Sequence, residues 1–148
     1  MQFNEELYMR FPVNFREKLL DGSVVFEEGT KVEYEKILVY RAVERRKDDY
    51  RPVDKSDFKS HFELGKKVRG VPIEKSLSDP SYYSASSFTN QEIVRQLLHF
   101  PRPTKKMAKG YVYQEGGPQY TNGDHVDWWL YEGVDIEGFD LMEEQENE

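Results

Sequence analysis

The sequence predicts an α+β fold: a mixed, mainly antiparallel sheet with a few short helices at its periphery, in a single domain. Three observations carry this reading. Residues 36–43, Lys-Ile-Leu-Val-Tyr-Arg-Ala-Val, form a β-branched run with no breaker. Further strand-like runs are separated by Gly, Pro and Asn-Gly punctuation. Strand candidates also outnumber helical ones, and each helical stretch is short. At 148 residues the chain is long enough to bury one core, and its ten Tyr, nine Phe and two Trp supply large rings to fill it.

Taken along the chain, residues 14–20 predict a short helix stopped by Asp21-Gly22, and residues 23–26 a weak strand ended by Gly29-Thr30. The strand over 36–43 places Ile37, Val39, Arg41 and Val43 on one face, because side chains alternate. An arginine on an otherwise apolar face is the first irregularity. Residues 44–55 read as a charged loop, and 56–63 as a helix capped by Ser56. After a basic loop, residues 82–88 predict a strand with Tyr82, Ser84, Ser86 and Phe88 on one face. Thr89-Asn90-Gln91-Glu92 fits a capping box for a helix presenting Ile93, Leu97 and Phe100, stopped by Pro101 and Pro103. Residues 107–114 predict a strand, Asn122-Gly123 a turn, and residues 125–134 a final strand. In that strand Val126, Trp128 and Leu130 share one face, and His125, Asp127, Trp129 and Tyr131 the other. The domain is expected to span residues 1–142, with 143–148 an acidic, disordered tail.

The absence of cysteine excludes disulfides, thiolate metal sites and cysteine nucleophiles. An acidic amino-terminal stretch without a secretory pattern, and no apolar run near membrane-spanning length, predict a cytoplasmic protein without a membrane segment. The net charge of −7 is unevenly laid out. Residues 41–110 are net basic, whereas 111–148 hold eleven carboxylates and no Lys or Arg. Such asymmetry predicts either two surfaces that neutralise each other or a basic middle that binds an anion.

Three groups of residues carry chemistry. Arg41 offers a planar fork of donors suited to phosphate or carboxylate, or it pairs with an acid of the last third. Ser84 and Ser86 are two hydroxyls on one strand face, without the Gly-x-Ser-x-Gly elbow of a serine hydrolase. His125, Asp127, Trp129 and Tyr131, with Asp124 and Glu132 nearby, set carboxylates beside rings, where they would serve as acid, base or electrostatic stabiliser. His125 and Asp127 are too few for a metal site, and none is expected.

In order, a strand Arg41 in Val39-Tyr40-Arg41-Ala42, Ser84 and Ser86 in Tyr83-Ser84-Ala85-Ser86, and a late acid resemble the Arg-Ser-Glu plan of ADP-ribosyltransferase-like domains. The resemblance spans roughly residues 36–135, and the late acid would be Asp127 or Glu132. It implies that Arg41 holds the pyrophosphate of NAD, that Ser84 and Ser86 brace the nicotinamide pocket, and that the acid steadies the ribose cation. Trp129 would line the same crevice. The family's Gln/Glu-x-Glu is absent, with Asp124-His125-Val126-Asp127 in its region. The alternative is a non-enzymatic regulatory or inhibitory module that binds a basic protein partner through the acidic, ring-rich final third. The overall acidity and the lack of a recognisable signature argue against a nucleic-acid partner.

Overall fold

A computed structural model describes residues 3–97, 99–100 and 102–142. Its organising element is a six-stranded antiparallel sheet in the order β4-β5-β2-β1-β3-β6. The strands are β1 (Ile37–Glu44), β2 (Ala85–Phe88), β3 (Lys105–Val112), β4 (Gln119–Asn122), β5 (His125–Trp128) and β6 (Asp140–Leu141). The helices are short: α1 (Glu5–Tyr8), α2 (Val13–Leu20), α3 (His61–Leu64), α4 (Ile73–Leu77) and α5 (Gln91–Leu97). The α+β, mainly antiparallel architecture expected from the sequence is therefore present. The expected acidic tail, residues 143–148, lies outside the described residues.

Two clusters of side chains fill the interior. One lies on the sheet and gathers Val39, Val43, Ala85, Ala108, Val126 and Trp128 beneath Phe58 and Phe139. The other joins α1 and α2 to the chain beyond β5, through Phe11, Phe15, Leu19, Tyr83, Trp129 and Tyr131. Most rings meet edge to face or tilted, as with Phe58 on Trp128 and Phe26 on Trp129, while Phe15 stacks on Tyr83. Each buried ring removes about 150–250 Å² from water, worth about 4–6 kcal/mol before ordering entropy.

Several local expectations change for identifiable reasons. Residues 23–26 form no strand; Val24 and Phe26 instead pack as irregular chain into the helix-side cluster. The single helix expected over 56–63 is two pieces, a 3-10 turn over Lys55–Phe58 capped by Asp54 and α3 capped by Ser60. Each cap is a reciprocal capping box, so both of these residues outcompete Ser56. Tyr82 belongs to a 3-10 turn over Pro80–Tyr83 rather than to β2. At α5 the side chain of Asn90 accepts from the Glu92 amide, while the Thr89 hydroxyl is drawn away to Asp124. The buried residue of α5 is Val94, and Leu97 is exposed.

The final strand stops at Trp128, six residues early. Beyond it the Trp129 amide donates to Pro118 and the Tyr131 amide to Gly116, so the chain leaves the ladder to follow the 116–118 loop. This closeness demands glycine at 117, where φ is +147° and a Cβ would fall 1.8 Å from the Trp129 carbonyl oxygen. Gly110, on β3, is confined by side-chain packing. A Cβ there would meet the Phe139 ring at 2.5 Å and the Gly138 carbonyl at 2.8 Å. Gly110→Ala should therefore cost about 1–3 kcal/mol by overpacking. Urea unfolding checks this: a lower midpoint at unchanged slope is expected.

Candidate functional site

β1 pairs with β3 along its whole length, from Ile37 opposite Val112 to Glu44 opposite Lys105. Against β2 it registers only at Tyr40 opposite Phe88, so the two strands part there. Arg41 is the next residue on β1, and its side chain enters the gap. Nε donates to the Asp57 carbonyl at 2.8 Å, Nη1 to the Ser86 carbonyl, and Nη2 at 3.5 Å to that of Lys59. A guanidinium has five N–H donors. Three serve these carbonyls, leaving two unused among the described residues. Where the two strands part, the side chain thus ties β2, at Ser86, to the 55–63 segment, at Asp57 and Lys59, and supplies donors to their carbonyls. Burial lowers its pKa to about 10, against the opposing pull of Asp57, and it remains charged at neutral pH.

The expected pairing of Arg41 with an acid of the last third is not formed, because its hydrogen bonds go to carbonyls of Asp57, Lys59 and Ser86. The carboxylate of Asp57 is taken by Arg45 in a two-pronged, buried ion pair at 2.7 and 2.8 Å. Arg45 also donates to the carbonyls of Glu44, Arg51 and Pro52. Burial alone would raise the Asp57 pKa, but the bonds from Arg45 and from the Asp54 amide, with the Arg45 charge, bring it below its ordinary value. Arg45 lies in the stretch read as a charged loop. Six consecutive charged residues, Glu44 to Asp49, gave no signal that one of them turns inward.

The split between β1 and β2 opens into a cleft of about 760 Å³. Its lining carries five cations, Arg41, Arg51, Lys59, Lys66 and Lys105, against three carboxylates. All three carboxylates have partners, Asp57 in Arg45, Asp79 in the Ser81 amide and Glu44 in Lys105 at 3.5 Å. Of the cations, Lys105 and Arg51 are themselves paired, Arg51 with Asp49 at 3.4 Å. The positive field reaches His61, whose pKa is lowered by burial first and then by Lys66 and Arg41. Leu64, Val68 and Tyr82 supply apolar wall.

Arg41, Ser84 and Ser86 meet at this cleft, as the sequence order suggested. His125 lines it too, and Asp127 stands directly behind its serines, whereas Trp129 and Glu132 lie elsewhere. Asp127 is buried, and its Oδ1 accepts from Ser84 Oγ at 2.6 Å and Ser81 Oγ at 3.0 Å, with His125 Nε2 at 3.8 Å. Serine and aspartate touch directly, so no histidine stands between them as a base. Trp129 is buried in the helix-side cluster, its indole N–H donating to the Pro80 carbonyl. Glu132 is exposed and lines a second hollow with Trp129. The early end of β5 explains the separation, because strand alternation no longer governs where Trp129, Tyr131 and Glu132 point.

Among the described residues no group of three or more His, Asp or Glu could hold a metal ion, and no helix is long and apolar enough to cross a membrane. No family model matches the chain, and no curated protein or solved structure matches it.

Breaking the Arg45–Asp57 pair should be costly, because one charge would stay buried alone. Arg45→Met is expected to lose about 3–5 kcal/mol in urea unfolding at pH 7. The Asp57 carboxyl titrates below its ordinary value of 3.8 when folded. The pair's contribution is therefore complete above that pH and fades as pH falls through the folded-state value. A wild-type stability advantage over Asp57→Asn that shrinks below pH 4 checks the sign.

Proposed function

We propose that this protein acts in the cytoplasm by binding, as a non-enzymatic module whose cation-lined cleft receives an acidic segment of a partner protein. The observation that carries this reading is the state of Arg41. Its guanidinium is held in place by three backbone carbonyls, has no carboxylate hydrogen-bonded to it, and keeps two N–H donors for an incoming anion. Lys59 and Lys66 stand exposed at the same cleft, where they attract and orient an acidic chain. The apolar wall of Leu64, Val68 and Tyr82 gives side chains of such a segment something to pack against.

The acidic final third fits the role of a partner surface less well than the sequence suggested. Its largest rings are interior, since Trp128, Trp129, Tyr131 and Phe139 are all buried, while Tyr111 is exposed and Tyr113 and Tyr120 are half-buried. What binds is then the basic middle, while the acids at Glu115, Asp124, Glu132, Asp135 and Glu137 remain exposed to solvent. The residues with hydroxyls and charges at the cleft are suited to holding a ligand. The carboxylate proposed for chemistry, Asp127, is engaged with two serines, and Glu132 faces the other hollow.

A second reading, a nucleotide such as NAD in the same cleft, is favoured by one observation: Arg41, Ser84 and Ser86 line it together. Calorimetric titration separates the two. A hexaglutamate peptide should bind saturably, more weakly at 300 mM than at 50 mM salt. Lys59→Gln with Lys66→Gln should weaken it about threefold to tenfold. Saturable binding of NAD with no response to the peptide would favour the nucleotide reading. No response to either ligand would dismiss both.

A further inference from the structure

The second hollow, about 340 Å³, lies between α2, the 55–63 segment and the chain after β5. Six rings line it: Phe15, Phe58, Phe62, Tyr83, Trp128 and Trp129. Its size is at the lower end of those that hold small molecules. Every polar atom on these rings donates outside the hollow. The Trp128 indole bonds to Gly117, the Trp129 indole to Pro80 and the Tyr83 hydroxyl to Leu77, and none of these acceptors lines the hollow. The Ser60 hydroxyl is taken by Glu63 within the lining, and Lys55 directs its ammonium to the Tyr131 carbonyl. An anion entering here finds few free donors.

What the hollow does offer is an aromatic lining, formed mostly by rings that are otherwise buried, and two carboxylates, Glu63 and Glu132, against the single ammonium of Lys55. Glu63 is fixed by the α3 capping box, whereas the exposed Glu132 carboxylate makes no hydrogen bond or ion pair with another described residue, its backbone amide alone donating to the Arg10 carbonyl. Aromatic walls with net acidic charge at the edge favour an organic cation, drawn by the ring quadrupoles and stripped of water more cheaply than a compact ion. We infer that this hollow is a binding site for a small organic cation, of the alkylated or quaternary ammonium class, with Glu132 as its counter-charge. The site is independent of the anion-binding cleft and does not rest on it.

The protein carries its own reporter, since its two tryptophans both line the hollow. Benzyltrimethylammonium should change their fluorescence saturably in the full chain, beyond its effect on free tryptophan. Its neutral isostere, neopentylbenzene, should bind about tenfold more weakly. Glu132→Gln, an exposed substitution that leaves the backbone bond to Arg10 intact, should weaken the cation about threefold to tenfold without altering the fold. Three results would each overturn the assignment: no saturable change, equal binding of the isostere, or a Glu132→Gln variant that binds the cation as well as wild type.

Discussion

The structure depends on one guanidinium placed where a sheet comes apart. β1 is committed to β3 along its length, and it leaves β2 after a single registered pair. A split of this kind exposes carbonyls that must find donors, and burying them unpaired would cost about 1–3 kcal/mol each. Arg41 supplies the donors from its side chain, tying together β2 at Ser86 and the connecting segment at Asp57 and Lys59. A planar fork reaches several acceptors at once, which a single ammonium does not. The ring of Phe58 lies 5.1 Å from the guanidinium and adds an apolar platform. The same residue therefore closes the fold and sets a fixed positive charge at the head of the cleft.

Two stretches of chain divide their side chains between two hollows of opposite character. In the 55–63 segment, Asp57, Lys59 and His61 face the cationic cleft, while Phe58, Ser60 and Phe62 face the aromatic hollow. At β2 and the turn before it, Tyr82, Ser84 and Ser86 face the cleft, while Tyr83 and Ala85 face the hollow. One thin wall thus serves both, and its position is pinned from one side by Arg41 and from within by the Arg45–Asp57 pair. Two capping boxes, at Asp54 and at Ser60, hold the wall's turns in register without a long helix.

Much of the sheet was legible because its signals are local. The run at 36–43 has few alternatives to a buried strand, and β1 occupies Ile37–Glu44. Asn122-Gly123 predicted a turn, and the chain does reverse there with Gly123 at φ +63°, although the β4 strand that makes it a hairpin was not foreseen. Arg41, Ser84 and Ser86 do line one cleft, but only the resemblance to a known plan had brought them together, since no local signal in the residues did. What escaped was set by distant contacts. Trp129 and Glu132 were placed by extending β5, but the strand ends where Gly116 and Gly117 let two backbones meet, a constraint contributed by residues a dozen positions upstream. Arg45 was hidden in a charge run whose other members face solvent, and only the Asp57 carboxylate distinguishes it. Asp127 sits at a strand position that pattern reading cannot separate from a free acid, because its partners Ser81 and Ser84 come from another element.

The claim on which the rest stands is that Arg41 acts through its fork, as donor to several carbonyls at once, and not merely as a charge. Replacing it by lysine keeps the charge and the apolar stem but removes the fork. Urea unfolding of Arg41→Lys should show a loss of at least about 2 kcal/mol, the scale of one to two charge-assisted hydrogen bonds left unmade. A variant within about 0.5 kcal/mol of wild type, the range of an ordinary surface change, would contradict the account.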